Sequence, residues 1–295
     1  NSPDYPVTAG RLEIIPGLGI GVISGRESPL PESALLESTQ RCATVIVYEY
    51  PLNERIRTLL RMEDLFERVG HFLGQQDAQS HHAALITLFE ILEVASRADL
   101  KSDLLQELER QKQMLQTLRS NPDIREDVLN QVLADIERAA TQLFAMTGKI
   151  GQYLRENEWL MSIKQRTSIP GGACEFDLPS YHFWLHRDTA HRLADLDKWI
   201  SPLYPIRDGT GIVLKLLREG GHPLNLTAQA GTFSQMLGGK LAHLVRIRLP
   251  ENSQYIPETS ANKYALNVRF TMFGSDPRPR LTEADVDFEL TFCNL

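Results

Sequence analysis

Apolar residues in "PLNERIRTLLRMEDLFERVGHFL" recur at Ile56, Leu59, Leu60, Leu65, Phe66, Val69, Phe72 and Leu73. Spacings of three, four and seven predict an amphipathic helix, with Asn53 placed to cap its first turn. The opposite face carries Arg55, Arg57, Arg61, Glu63, Asp64, Glu67 and Arg68 and reads as a solvated, ion-paired surface. Ser80 can cap a second helix through "HHAALITLFEILEVASR". The segments "DLLQELERQKQMLQTL" and "EDVLNQVLADIERAATQLFAM" predict a helical hairpin broken at Asn121-Pro122. Val128, Val132, Ile136, Ala140 and Leu143 form a seam at near-heptad spacing, suited either to packing within its own domain or to a second subunit. A short helix follows in "IGQYLRENEWLMSIKQR", and "DTAHRLADLDKWISPLYPIRDGTGIVLKLLREGG" reads as two helical pieces interrupted near Ser201-Pro202.

The period then changes to two. Leu266, Val268 and Phe270 alternate with Ala265, Asn267, Arg269 and Thr271. Val286, Phe288, Leu290 and Phe292 alternate with Asp285, Asp287, Glu289 and Thr291, and "LAHLVRIRLP" behaves the same way. Strands with one buried face favour an antiparallel sheet. The fold class expected is therefore α+β: a helical domain packed against a curved, mostly antiparallel β-sheet domain. Residues 45–166 are assigned to the helical domain, and 167–295 to a sheet-rich domain with inserted helices over 187–219.

The segment "TSIPGGACEFDLPSYHFWLH" crowds two glycines, a cysteine, two carboxylates and two histidines into twenty positions. Pro170-Gly171 fits a type II turn, and the alternation of Cys174, Phe176 and Leu178 against Glu175 and Asp177 predicts a half-buried strand. No GK[ST] follows the glycines, so they form no phosphate loop. His182 and His186 would need Glu at 183 for a zinc helix, and Phe183 stands there. Cys174 with His182 would serve a hydrolase or transferase as nucleophile and base, although a cysteine on an apolar strand face is more often a small hydrophobe. The adjacent His81 and His82 point to different helix faces and make a poor metal pair.

Residues 1–44 are rich in Pro, Gly, Ser and Thr without helical period, which predicts a flexible extension. Gly17, Gly19 and Gly21 miss the dinucleotide fingerprint, which needs its third glycine at Val22. The first Met is Met62, so Val45 or Val47 marks a biological start, and 1–44 goes untranslated, if a GTG codon initiates there.

Composition narrows the function. The 295 residues are 42% hydrophobic and 23% charged, ordinary for a globular protein, and the net charge of -7 disfavours nucleic acid as the main partner. No apolar run reaches the length needed to span a bilayer. Cys42, Cys174 and Cys293 form no metal-type pair and fit a reducing cytoplasm. Between 240 and 280, Lys240, Arg246, Arg248, Lys263, Arg269, Arg278 and Arg280 face only Glu251, Glu258 and Asp276, a basic excess suited to carboxylates and polar peptide.

Three blocks, "YEYPLNERIRTLLRMEDLF", "IGQYLRE" and "KQRTSIPGGACEFDLPSYHFWLH", together with the closing "DFELTF", resemble the ZapD family of bacterial cell-division proteins that bind FtsZ. The resemblance runs from about Val45 to the C-terminus and leaves out 1–44. It implies a cytoplasmic, non-catalytic homodimer at midcell, without cofactor, metal, membrane or nucleic acid. Such a dimer binds the C-terminal tail of FtsZ and cross-links protofilaments, promoting assembly and stability of the Z-ring. It also implies a basic tail pocket beside the sheet, with Arg97, His182 and Arg269 at matching positions and Arg155 of "YLRE" as a further contributor. One position that is basic in the family pattern is Ala265 here, so either Lys263 compensates along the same strand face or the pocket is weaker.

Overall fold

The computed structural model describes residues 11–14, 20–23, 45–96, 99–120, 124–238, 242–274 and 278–295. Asn121, Pro122, Arg97, Lys240, Asp276 and Cys42, all invoked above, lie outside the described residues. Within the first forty-four residues, β1 (Arg11–Ile14) and β2 (Ile20–Ile23) pair antiparallel. The chain then groups into two compact units. One contains residues 1–56, 118–129 and 216–295, the other 57–117 and 130–215. Residues 167–215 therefore fall with the helices.

The helical unit draws on α1 (Glu54–Leu73), α2 (Ala78–Ser96), α3 (Leu100–Thr117), α4 (Glu126–Ala145), α5 (Gln152–Arg155), α6 (Glu158–Thr167), α7 (Pro179–Leu185), α8 (Thr189–Ile200) and α9 (Tyr204–Glu219). Asn53 caps α1 as expected, its Oδ1 accepting from the Ile56 N–H at 2.8 Å. The second cap differs from expectation. Asp77, not Ser80, opens α2 and accepts from the Ser80 N–H at 2.8 Å and its hydroxyl at 2.6 Å. Helix α2 buries Ala84, Leu85, Leu88, Phe89, Ile91 and Leu92, too many for one stripe, and it packs against α6, α7 and α8 as the central helix of the unit. His81 and His82 diverge as the helical period requires. His81 Nδ1 accepts from Arg192 Nε at 2.9 Å, while His82 Nδ1 meets the Tyr181 hydroxyl at 2.6 Å. On α4 the buried stripe is Leu129, Leu133, Ile136, Ala139 and Leu143, whereas Val128, Val132 and Ala140 are half-buried. The near-heptad seam is thus rotated toward its own unit.

The strand expected over 173–178 is absent. Gly172 N–H closes a turn on the Ile169 carbonyl at 2.9 Å with Gly171 at φ 73°, so the Pro170-Gly171 turn forms. The next residues turn again, Asp177 and Leu178 N–H both bonding the Cys174 carbonyl at 3.1 and 3.0 Å. Local bonds satisfy this backbone, leaving nothing for a ladder. Cys174 is consequently exposed and Phe176 is 80% exposed, both contrary to the strand reading, and only Leu178 is buried.

The other unit holds two antiparallel sheets, so the class is α+β as expected. One has the order β3–β6–β10–β4, built from β3 (Val45–Pro51), β6 (Leu244–Pro250), β10 (Val286–Cys293) and β4 (His222–Ala228). The other runs β5 (Thr232–Met236), β8 (Ala265–Met272) and β7 (Tyr255–Ala261), with β9 (Arg280–Leu281) also on β8. Inward residues of both sheets share one core: Val245, Ile247 and Leu249, Val286, Phe288 and Leu290, Leu266, Val268 and Phe270. The Phe270 and Phe288 rings lie 5.0 Å apart within it. Strand β3 comes from the far side of the helical segment in sequence, so this unit closes only after the helices have been made. At its seam Glu49 holds Arg218 Nη2 at 2.7 Å and Arg246 Nε at 2.9 Å. Burial alone would raise the Glu49 carboxyl, but the hydrogen bonds and charges of both guanidiniums outweigh it and hold the pKa below the ordinary value.

Candidate functional site

Arg155 ends the four-residue helix α5 beside the C-terminus of α2. Its Nη2 donates to the Leu92 carbonyl at 3.2 Å and its Nη1 to the Ile150 carbonyl at 2.6 Å. A cation at the carbonyl end of a helix meets the negative pole of the helix dipole, so the arrangement fixes the side chain. The loop feeding α5 depends on Gly151, which stands at φ 67° with room for no side chain. A Cβ there would lie 2.1 Å from Leu92 Cδ2.

This loop and the end of α2 enclose a cleft of about 660 Å³ lined by Ser96, Asp99, Lys101, Lys149, Ile150 and Arg155, among others. Lys101 Nζ donates to the Met146 carbonyl at 2.5 Å. Lys101 and Arg155 are thus positioned by neutral carbonyls, and among the described residues neither is ion-paired with a carboxylate. Such bonds orient Lys101 and Arg155 without cancelling their charge, and with Lys149 they outnumber Asp99, the one acid among the described lining residues. Neither lysine was singled out in the sequence. They lie 48 residues apart by number (149 − 101), in stretches with no motif of their own.

His182 sits on α7, a helix fixed from beneath. Tyr181 and Trp184 are buried, with Trp184 Nε1 donating to Asp195 Oδ2 at 2.9 Å and both rings joining Trp159 in one aromatic cluster. The intervening His182 and Phe183 point outward, and the His182 ring lies 4.3 Å from that of His186. Cys174 Sγ donates instead to the Gly171 carbonyl at 3.0 Å. No hydrogen bond joins Cys174 to His182, and nothing favours the nucleophile-and-base alternative.

Arg269 is exposed on β8, in register with Thr232 on one side and Glu258 on the other. Lys263 is not on that strand face. It occupies the Asn262–Ala265 turn, closed by Asn262 N–H on the Ala265 carbonyl at 3.0 Å, with Nζ 4.7 Å from the centre of the Tyr264 ring. The turn and the first four residues of β8, about 13 Å of strand, separate it from Arg269. The basic excess of residues 240–280 is likewise dispersed. Arg246 and Arg248 lie in the other sheet and pair with Glu49 and Glu289, each at 2.9 Å. Of the five residues proposed from the sequence, Arg155 belongs to the helical cleft and His182 to α7, while Arg269 lies in the middle of β8 and Lys263 in the turn that precedes it. Arg97 is outside the described residues.

No cluster of three or more metal-ligating side chains occurs among the described residues, and no helix there is long and apolar enough to cross a membrane. Fold and site together define an α+β protein in which carbonyls orient two cations, Lys101 and Arg155, at a cleft of the helical unit. Comparison with known proteins makes this specific. A family model described as "ZapD: Cell division protein" matches residues 60–269. A cell division protein ZapD from Azoarcus sp. (strain BH72) is 59% identical over 251 residues, covering 85% of this chain and all of the relative. Cell division proteins ZapD from Aromatoleum aromaticum and Dechloromonas aromatica are 57% and 58% identical over 255 and 252 residues, again across the whole of each relative. The chain belongs to the ZapD family of cell division proteins.

Proposed function

We propose that this protein is a non-catalytic, cytoplasmic division factor that binds the C-terminal tail of FtsZ and, as a homodimer, cross-links protofilaments at midcell. The observation that carries the reading is the set of cations held open by neutral carbonyls around Arg155. It gives an acidic or carboxylate-ended peptide directed partners with uncancelled charge. Arg97, His182, Arg269 and Lys263 are the further contacts proposed for the tail. Two tail sites per dimer turn weak attachments into bundling, because the second attachment is intramolecular once the first has formed.

Co-sedimentation with FtsZ polymers, with and without the tail, tests the proposal. The full chain should pellet with intact FtsZ, remain in solution with tail-less FtsZ, and scatter light with twice the chain mass at micromolar concentration. A strictly monomeric species, or equal pelleting with tail-less polymer, would overturn it.

A further inference from the structure

Helix α7 brings two histidines together on its exposed face. His182 and His186 are four residues apart, about one turn, so their side chains lie one above the other. Both are exposed, and their ring centres are 4.3 Å apart. The buried Tyr181 and Trp184 hold the helix still from the opposite face.

Hydrogen bonding settles which ring atoms are free. His186 Nδ1 lies 2.8 Å from the His182 carbonyl oxygen. A carbonyl only accepts, so Nδ1 carries the proton and the lone pair of the neutral ring is on Nε2. A histidine that gives one ring N–H to a backbone carbonyl and keeps the other nitrogen bare is in the form that ligates metals. No hydrogen bond engages the His182 ring among the described residues. The nearby carboxylates are committed elsewhere, Asp188 to His191 at 2.5 Å and Asp195 to Trp184 Nε1 at 2.9 Å. The last carbonyls of α7 converge on the His186 N–H, which puts the negative end of the helix beside the rings and favours a cation there.

We propose that His182 and His186 chelate a divalent ion of the nickel, copper and zinc group at the surface of α7. Imidazole nitrogens suit these ions, whereas magnesium and calcium take oxygen. A metal–nitrogen bond of about 2.0–2.1 Å at a tetrahedral angle sets the two bound nitrogens about 3.3 Å apart, within reach of rings centred 4.3 Å apart. Phe183 stands where a zinc protease helix has its catalytic glutamate, so the site binds and does not hydrolyse. Two ligands come from the chain, and the remaining positions of the ion are open to water or to a carboxylate from outside.

Isothermal titration of the full-length protein with Cu2+, Zn2+ and Mg2+ tests the site, with His182→Asn and His186→Asn as variants. Since FtsZ is absent from this assay, its outcome is independent of the division-ring proposal. Cu2+ should bind most tightly, Zn2+ more weakly, and Mg2+ not at all at the same concentrations. Each substitution alone should weaken Zn2+ binding at least tenfold, because a chelate needs both rings, while His222→Asn on β4 should change nothing. If a variant fails to fold by circular dichroism, electron spin echo spectroscopy of the wild-type chain with one equivalent of Cu2+ decides, and it should show two coordinated imidazoles. The proposal is overturned if Zn2+ binds no tighter than Mg2+, or if either folded variant binds Zn2+ like wild type. A Cu2+ spectrum with fewer than two imidazoles also overturns it.

Discussion

Replacing Glu49 by Gln removes the one negative charge between two guanidiniums while keeping the side chain's volume. In the native sheet unit Arg218 grips Glu49 with a fork, Nε at 2.8 Å and Nη2 at 2.7 Å, and Arg246 approaches at 2.9 Å. The side chains of Glu49, Arg218 and Arg246 are 17%, 25% and 15% exposed, so water screens the cluster only partly. Breaking a fully buried ion pair from one side costs about 3–5 kcal/mol, since the remaining charge is uncompensated. Partial exposure and the amide oxygen of Gln lower the expectation here to about 2–3 kcal/mol. At roughly 2–4 °C per kcal/mol for a unit of this size, the melting temperature should fall by about 4–12 °C.

The pH dependence separates an ionic from a packing explanation. The Glu49 carboxyl is held below its ordinary value of 4.5 in the folded protein. Its stabilisation is therefore complete above that ordinary value and is lost as pH falls through the lowered folded-state pKa. Urea melts followed by circular dichroism should show a gap between wild type and Glu49→Gln that is constant from pH 8 to about pH 5 and closes at more acid pH. A gap of equal size at pH 3.5, or one under about 0.5 kcal/mol at pH 7, would show that the cluster is held by shape and not by charge.

Other substitutions probe the remaining claims. Gly151→Ala should cost about 1–3 kcal/mol in thermal melts, because its Cβ collides with Leu92 and its backbone is left-handed. Arg155→Ala should weaken FtsZ-tail binding at least severalfold in anisotropy titrations while leaving circular dichroism unchanged, and intact binding would remove Arg155 from the site. In a Cys42→Ser background, Cys174 should react with an aromatic disulfide reagent in the folded state. Cys293, buried and with its thiol pushed up to about 11, should react only on unfolding. Because Cys174 lies in an exposed turn, Cys174→Ser should leave both stability and bundling within error of wild type.

Elements with a strong period were legible in the chain itself. Helix α1 with its Asn53 cap and strand β8 with Leu266, Val268 and Phe270 inward follow directly from spacing, because a long amphipathic stripe has one economical way to be buried. Short or half-exposed strands were not legible. Strand β7 contains Pro257, tolerated on an edge, and β4 is exposed along most of its length, so neither shows clean alternation. The opposite error occurred at Cys174–Leu178, where three alternating apolar residues suggested a ladder but i→i+3 and i→i+4 bonds had already satisfied the backbone.

The site was legible unevenly for a related reason. Arg155 entered through family resemblance alone, whereas the alternation of β8 and the basic count over 240–280 also marked Arg269, and the crowded segment 167–186 marked His182, without assigning either of them a partner. A linear count of bases over 240–280 suggested one positive face. Strands adjacent in sequence were then dealt to two sheets, and Arg246 and Arg248 were absorbed by acids from residues 49 and 289. The cleft's positive charge instead comes from Lys101, Lys149 and Arg155, of which Lys101 and Arg155 are held by backbone carbonyls that carry no sequence signature. Charge that matters for binding is charge left uncancelled after folding. In this chain that remainder is set by which cations find carboxylates and which find only carbonyls, a distinction that exists only once α2, α3 and the Gly148–Gly151 loop have come together.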